Sequence, residues 1–290
     1  MLSVVVIWAF NFIAMRLVLA EVPLLVTGAL RFLLAGLLLL FILKIVEGNI
    51  AVPRAIWGRL FFLGLLGNSL YQVLFMVALQ RTTVGNTAIL LATSPLQTAL
   101  LGAALGVEKP SGRLVTALVL ALAGAGLVLS DRGFTLDTAT LLGDLAAVGA
   151  AFCWAAFTLG VRRLPGELSP LKVTALTTIA GAPALLLVAA PQFLSLEWGV
   201  VSWKAWSALG YSVTLSIGVA YLLWNASVAA VGVNRTAIFN CLTPLVAMLM
   251  AWPILREVPG PAQWAGGTLI VAGVILGRWS PVSFLRSVTS

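Results

Sequence analysis

The sequence predicts an all-α integral membrane protein with ten transmembrane helices, arranged as two inverted five-helix repeats around a central cavity. Three observations lead to this prediction: the composition, the length of the apolar runs and an internal repeat. Of the 290 residues, 61% are hydrophobic and 9% are charged, and the mean hydropathy is +1.10. Because about 25% of the residues in a soluble domain are charged, we expect lipid to surround most of this chain.

Ten apolar runs are long enough to cross a bilayer, since about 20 helical residues span its hydrocarbon core. Their continuous apolar character excludes a transmembrane barrel, whose strands alternate polar and apolar residues. The connections are mostly short and hold most of the charge, so no soluble domain fits between the runs. The predicted spans are 4–19, 24–43, 60–79, 87–106, 114–130, 142–161, 173–190, 206–229, 236–255 and 262–277.

Lysine and arginine divide unequally between the two sides of the predicted bundle. Assigning the loops alternately to the two sides gives the side of the termini eleven of the seventeen. The positive-inside rule then predicts that both termini are cytoplasmic, and we expect a multi-pass protein of the cell (inner) membrane. The net charge of +8 therefore reflects membrane orientation rather than nucleic-acid binding. No cleavage site follows the first apolar run, so we expect that span to be retained.

An internal repeat relates the two halves of the chain. Four residue pairs are each displaced by 149 positions: Thr87 and Thr236, Pro95 and Pro244, Glu108 and Glu257, and Gly124 and Gly273. Trp8 likewise returns as Trp154, 146 positions later. Because each half holds five spans, the two halves must have opposite orientations in the membrane. We expect the first repeat at 1–134, the second, inverted repeat at 140–279 and a cytoplasmic tail at 280–290.

Several sequence segments carry a family resemblance. They are 8–12 (WAFNF), 30–32 (LRF), 87–108 with its central proline and terminal glutamate, and 143–155, which opens with GDL and ends with WA. In order and spacing they resemble the EamA family of the drug/metabolite transporter superfamily, and the second-half copy extends the likeness over nearly the whole chain. The resemblance implies a ten-helix exporter of amino acids or other metabolites that works by alternating access. The subgroup that we favour is the aromatic amino-acid exporters.

Polar and aromatic side chains inside the apolar spans are the candidates for substrate binding. Unsatisfied polar atoms are costly in hydrocarbon, so these groups must face protein or a water-filled cavity. Aromatic rings can stack on a substrate ring or hold an ammonium group, a contact worth about 0.5 to 2 kcal/mol. The candidates are Asn11, Tyr71, Gln72, Ser94, Trp154, Thr158, Tyr221, Trp224, Asn225, Asn240 and Thr243. They fall on spans one, three, four, six, eight and nine, which the resemblance also implies to surround the cavity.

Two prolines, two glutamates and one arginine complete the candidate residues. Pro95 and Pro244 lie near the middle of spans four and nine, where each is expected to bend its helix and free a carbonyl group. Glu108 and Glu257 follow these spans on opposite sides of the membrane, either as related gate residues or as polar turns. Arg31 lies about seven residues inside span two. It either anchors a substrate carboxylate or pairs with carbonyl groups at a helix end.

The residues that are absent narrow the function further. The chain has no histidine, its two cysteines lie inside spans, and all nine acids lie in loops or at span ends. We therefore expect no enzyme activity, no metal and no cofactor. A mid-membrane acid is usual in proton-coupled carriers, so we expect facilitated diffusion or exchange. A channel is disfavoured because no charged ring or carbonyl filter motif is present.

The sequence thus predicts a secondary transporter that exports a small organic metabolite, with aromatic or hydrophobic amino acids as the first candidates. A multidrug, nucleoside or other metabolite carrier of the same superfamily is the alternative, and a membrane receptor without flux is a third. The expected partners are the lipid bilayer and a small-molecule substrate. We expect no nucleic acid and a functional monomer.

Overall fold

The computed structural model describes residues 1–82, 87, 90–108, 110–130, 140–255 and 259–278. Glu257, a predicted gate residue, lies outside them. The described residues are helical with no strand, which confirms the predicted all-helical class. Among them, six helices are long and apolar enough to cross a membrane, and two shorter apolar helices occupy Gly112–Leu127 and Pro261–Gly277. These helices indicate a multi-pass membrane protein.

We number the α-helices in chain order. They are α1 Leu2–Leu19, α2 Leu24–Glu47, α3 Arg54–Gly64, α4 Tyr71–Arg81, α5 Ser94–Ala104, α6 Gly112–Ser130, α7 Leu141–Arg162, α8 Pro170–Ser195, α9 Trp203–Tyr211, α10 Ala220–Val231, α11 Val233–Ala237, α12 Thr243–Leu255 and α13 Pro261–Arg278. Short 3₁₀ segments occupy Trp198–Val200 and Ile238–Leu242.

Polar residues and glycine mark several helix ends. The Ser169 side chain accepts a hydrogen bond from the Lys172 backbone N–H at 3.0 Å and thereby caps α8. Ser202 caps α9 in the same way, through the Ala205 N–H at 3.3 Å. Each cap satisfies a backbone donor that the first helical turn leaves free. Gly232, with a φ of +92°, separates α10 from α11, because only glycine adopts this conformation without steric cost.

Two of the predicted spans contain a π-helical segment. Leu65–Leu70 joins α3 to α4, and Ser212–Val219 joins α9 to α10, starting 147 positions later. Inside the first segment, Asn68 Nδ2 donates to the Thr177 carbonyl oxygen at 2.8 Å, which ties this part of the chain to α8. Such wider turns are often found at functional sites in helices.

The helices of the two halves pack against each other throughout the bundle. α2 lies along α8, and α6 lies along α13. α1 packs against α9, α10 and α12, while α7 packs against α4 and α5. The neighbours of α1 in the second half therefore correspond, under the sequence repeat, to the neighbours of α7 in the first half.

The contact between α6 and α13 is made by small residues. A Cβ placed on Gly124 would lie 2.5 Å from the Gly266 carbonyl oxygen and 2.8 Å from the Ile270 backbone nitrogen. One placed on Gly273 would lie 2.7 Å from the Ala117 carbonyl oxygen. Small residues permit this close approach of two backbones. Since 124 lies opposite 266 and 117 lies opposite 273, the two helices run antiparallel.

Candidate functional site

Five aromatic side chains from α1, α4, α7 and α10 form one cluster inside the bundle. The ring centroid of Trp154 lies 5.7 Å from that of Trp8, 5.6 Å from Tyr71, 5.3 Å from Tyr221 and 5.4 Å from Trp224. Trp8 also lies 5.2 Å from Trp224. These separations are within the range of about 4.5 to 7 Å that favours aromatic pairs. We refer to these five residues as the aromatic cluster.

Three phenylalanines lie next to members of the aromatic cluster. Phe157 lies 5.5 Å from Trp154, Phe32 lies 6.3 Å from Tyr221, and Phe75 stacks on Tyr71 at 6.2 Å. The sequence repeat relates Phe75 to Trp224, so both halves supply an aromatic residue at this level. Aromatic side chains from α1, α2, α4, α7 and α10 therefore surround one region of the core.

Most of the indole N–H groups in this region have an acceptor. Trp8 Nε1 donates to the Ser216 carbonyl oxygen at 3.1 Å, inside the second π-helical segment. Trp224 Nε1 donates to the Thr158 hydroxyl at 3.4 Å, and that hydroxyl donates to the Trp154 carbonyl at 2.9 Å. In contrast, Nε1 of Trp154 is buried, and no described residue accepts a hydrogen bond from it. The aromatic cluster thus holds one unused donor.

Arg31 approaches the aromatic cluster from α2. Its side chain is only 9% exposed, and it is the one charged side chain among the buried residues that the structure describes. Tyr71 and Tyr221 lie within electrostatic range of its guanidinium. Nε of Arg31 has no hydrogen-bond partner among the described residues, so they do not form at this nitrogen the pairing with helix-end carbonyl groups that the sequence left open.

Several predicted binding residues face neighbouring helices instead. Gln72 packs on Gly28 of α2, because a Cβ placed on Gly28 would lie 3.3 Å from Cγ of Gln72. Asn225 Nδ2 donates to the Thr174 hydroxyl at 2.9 Å, which joins α10 to α8. Oδ1 of Asn225 and Oδ1 of Asn11 are buried and accept no hydrogen bond from any described residue. Of the predicted residues, the structure therefore brings together Tyr71, Trp154, Thr158, Tyr221 and Trp224.

The candidates on spans four and nine lie in a different part of the bundle. Ser94 and Thr243 are buried, and the Thr243 hydroxyl donates to Oδ1 of Asn240 at 3.3 Å. The 3₁₀ segment Ile238–Leu242 packs against α1, α5, α6 and α13. Asn240 and Thr243 thus bond to each other and not to the aromatic cluster.

The two prolines begin helices, whereas the sequence suggested bends within continuous ones. Pro95 is the second residue of α5, directly after a turn at 92–93. Pro244 is the second residue of α12, directly after the 3₁₀ segment Ile238–Leu242. Proline lacks an N–H group but fits the first helical turn, where that group has no intrahelical acceptor. Spans four and nine are therefore interrupted at these positions rather than merely curved.

Trp8 is a member of the aromatic cluster that the list of predicted binding residues omitted. It lies nearer to the end of its helix than Trp154 does, and its depth in the first span gave no reason to select it. The repeat contains the missing signal, because Trp8 corresponds to Trp154 at a displacement of 146 positions. Two residues related by an inverted repeat are expected at similar places on either side of the central axis.

Glu108 joins two segments of the chain at one end of the bundle. Its Oε2 accepts hydrogen bonds from the backbone N–H groups of Val233 at 3.0 Å and of Asn234 at 3.1 Å. Nearby, Arg162 donates to the Ala229 carbonyl oxygen at 2.8 Å, and Arg163 donates to the carbonyl oxygen of Leu105. These contacts join the ends of α5 and α7 to the connection between α10 and α11.

We expect Glu108→Ala to lower the stability of the protein by about 1 to 2 kcal/mol, because it leaves two backbone donors without an acceptor. Glu108→Gln keeps one acceptor oxygen and should cost less. Thermal unfolding in detergent measures the effect, with the exposed Glu167→Ala as the control. Equal melting temperatures for the Glu108→Ala and Glu167→Ala variants would show that the contact contributes no stability.

At the opposite end of the bundle, the connection between α1 and α2 contacts the connection between α8 and α9. The Ser202 backbone N–H donates to Oε2 of Glu21 at 2.6 Å, and the Ser202 hydroxyl donates to Oε1 at 2.7 Å. These bonds, the backbone one most strongly, lower the pKa of Glu21. Any stability from this contact is therefore fully present above the ordinary carboxyl pKa and is lost as the pH falls through the lowered value.

The apolar helices define a multi-pass membrane protein, and the family comparison places it in the transporter class. The chain belongs to the EamA-like transporter family, whose model matches residues 1–130 and again 141–278.

Individual proteins that the chain resembles carry transporter or efflux-pump names. The chain is 27% identical to "Uncharacterized transporter YyaM" of Bacillus subtilis over 86% of this chain and 82% of that protein. It is 25% identical to "Probable amino-acid metabolite efflux pump" of Salmonella typhimurium over 95% and 92% of the two chains. A crystal structure with 20% identity matches the fold with a TM-score of 0.82, over 100% of this chain and 97% of that one.

Proposed function

We propose that this protein is a secondary transporter of the cell (inner) membrane that exports aromatic or hydrophobic amino acids by alternating access. The observation that carries the proposal is the aromatic cluster, in which Trp154 contacts four other aromatic rings while no described residue accepts a hydrogen bond from its N–H. These rings contact one another in the structure, and we propose that they separate during transport to hold an apolar or aromatic side chain. The efflux-pump name of the Salmonella relative agrees with this substrate class.

The fold that we propose is ten transmembrane helices in two inverted repeats. Under the 149-position repeat, Gly124 corresponds to Gly273 and Ala117 to Gly266. Exchanging the two halves of the chain therefore turns the contact of Gly124 with Gly266 into the contact of Gly273 with Ala117. An antiparallel pair with exchangeable contacts has a twofold axis perpendicular to the helices, which is an axis in the membrane plane. The matching π-helical segments agree with this arrangement.

This arrangement gives the transporter two related halves that can rock about the aromatic cluster. The interrupted spans four and nine and the π-helical segments of spans three and eight offer places where helices can change direction. With both termini in the cytoplasm, the Glu108 contacts would close the cytoplasmic side and Glu21 would lie on the outer side. We propose that Glu108 acts as one gate residue and that the monomer is the working unit.

We further propose facilitated diffusion or exchange as the transport mode. The described acids, Glu21, Glu47, Glu108, Asp144, Glu167 and Glu197, lie at helix ends or in connections. A coupled proton needs a titratable group that both sides can reach in turn, and these positions do not offer one within a span. Substrate-evoked pH changes that disappear when one of these acids is replaced would contradict this mode.

Flux of labelled substrate into proteoliposomes tests the function directly. We expect trans-stimulated uptake of L-phenylalanine and L-leucine above that of empty liposomes, and weaker uptake of small polar amino acids such as L-serine. A nucleoside and a cationic aromatic drug belong in the same screen, because the aromatic cluster would also suit a multidrug or nucleoside carrier of this superfamily. Binding of a solute without any flux would instead favour a receptor.

A further inference from the structure

We propose that Arg31 is the carboxylate-binding residue of the transport site, so that the substrate must carry a free carboxylate beside its apolar group. This inference rests on the proposed function and specifies its substrate class. It assigns a role to Arg31, the one charged side chain among the buried residues that the structure describes.

Arg31 has no carboxylate partner among the described residues. Arg31 is 9% exposed, and the ion pair that the structure shows among its described residues joins Lys172 to Glu47 at the end of α2. Removing a guanidinium from water is costly unless an anion or hydrogen-bond acceptors compensate. Inside a membrane protein such a residue generally faces a functional pathway. Among the described residues no carboxylate pairs with Arg31 and none accepts a hydrogen bond from its Nε, and a bound anion would supply this compensation.

Arg31 lies on the part of α2 that packs against the aromatic cluster. Phe32, the residue after Arg31 on α2, lies 6.3 Å from Tyr221, and a Cβ placed on Gly28, one turn before Arg31, would meet Gln72, the residue after Tyr71. The Tyr71 and Tyr221 rings in turn contact Trp154, at 5.6 Å and 5.3 Å. Arg31 Nε and Trp154 Nε1 are both buried donors without an acceptor among the described residues, and these contacts place them on helices that meet at the two tyrosines. A single ligand can approach both donors while its apolar part rests on the rings.

The charge and hydrogen-bond donors of Arg31 suit a carboxylate as ligand. A carboxylate is an acceptor-only anion that arginine binds with strong, charge-assisted hydrogen bonds. One buried cation matches the single charge of a carboxylate, whereas a phosphate ester carries nearly two charges. The surrounding indole and phenol rings suit an apolar side chain. The combined site therefore fits an α-amino acid or a related organic acid better than a sugar phosphate.

The test compares ligands that share a phenyl ring and differ in whether they carry a carboxylate, an ammonium group or both. Tryptophan fluorescence of the purified protein in detergent reports binding, because three tryptophans form the site. The probes are L-phenylalanine, 3-phenylpropionate and L-phenylalanine amide. We expect the two carboxylates to bind and the amide to bind at least about tenfold more weakly, since it lacks the charge that arginine recognises.

Variants then assign the preference to Arg31. We expect Arg31→Gln to weaken binding of L-phenylalanine at least about tenfold while leaving the amide unchanged, and Arg31→Lys to retain part of the preference because it keeps the charge. Arg59→Gln removes an exposed arginine from α3 and should behave like the wild type. If Arg31→Gln does not fold, the wild-type ligand series and Arg31→Lys still decide the question.

Two results would overturn the carboxylate site: equal affinity of the wild type for acid and amide, or an unchanged preference in Arg31→Gln. Flux in proteoliposomes separates this from a failure of the proposed function. Phenylalanine flux with equal transport of its amide refutes the role of Arg31 and leaves the exporter intact. Arg31-dependent binding of 3-phenylpropionate without flux of any amino acid retains the site and refutes the exporter.

Discussion

Trp154→Ala is expected to reduce L-phenylalanine flux in proteoliposomes by at least about tenfold. The substitution removes the ring that contacts Trp8, Tyr71, Tyr221 and Trp224. Each aromatic pair is worth about 0.5 to 1.5 kcal/mol beyond its burial, so losing the central ring should weaken both substrate stacking and the order of the other four. The rate of trans-stimulated uptake, normalised to reconstituted protein, measures the loss.

A defect in folding must be separated from a defect in transport, because truncating a buried tryptophan typically costs about 3 to 5 kcal/mol. Trp154→Phe keeps an aromatic ring while it removes the N–H group and part of the indole surface, so we expect it to fold and to keep part of the flux. Trp57→Ala truncates a tryptophan that is 45% exposed and serves as the matched control. Wild-type flux in Trp154→Ala would refute the aromatic cluster as the transport site.

The second large effect is expected from Gly124→Ala, which should lower the melting temperature in detergent by about 5 °C or more. Its added methyl group would meet the Gly266 carbonyl and the Ile270 nitrogen, which are backbone atoms that cannot rotate away. Overpacking typically costs about 1 to 3 kcal/mol, and each kcal/mol lowers Tm by about 2 to 4 °C in a chain of similar length. Gly273→Ala meets the Ala117 backbone and should have a similar effect.

Gly126→Ala is the control for this experiment. Gly126 lies on the same helix two residues away, and no atom lies within 4 Å of a Cβ placed there. Since alanine favours helix over glycine by about 1 kcal/mol, this variant should be as stable as the wild type or slightly more so. If Gly124→Ala behaved like Gly126→Ala, the close contact of α6 with α13 would not exist in the protein.

The sequence predicted much of the architecture because the bilayer imposes a simple rule on it. A chain that crosses hydrocarbon must satisfy its backbone within each segment, so long apolar runs such as 24–43 become helices wherever they occur. The observed α2, Leu24–Glu47, and α8, Pro170–Ser195, contain the predicted spans and extend beyond them. Helix ends inside a span were harder to predict, because the breaks before Pro95 and Pro244 depend on how neighbouring helices pack.

The candidate site was predicted in part for a related reason. Depth in a span correctly singled out Trp154 and Trp224 as buried aromatic residues, but it did not select Trp8, whose contacts come from helices far away in the sequence. The same reasoning could not choose between the two roles left open for Arg31. That choice depends on which atoms surround a side chain, and only the packed bundle determines this.

By itself, the sequence determined the all-helical membrane class, the membership of the EamA-like family and the repeat that relates Trp8 to Trp154. The membrane class and the repeat follow from composition and from self-similarity along the chain, and the family follows from likeness to known sequences; none of these needs knowledge of contacts. Only the tertiary structure decided that spans three and eight contain π-helical segments and that α6 meets α13 through glycines. It alone placed a buried arginine, whose Nε has no acceptor among the described residues, beside an aromatic cluster. Distances between helices depend on how side chains pack, and a linear pattern does not record that packing.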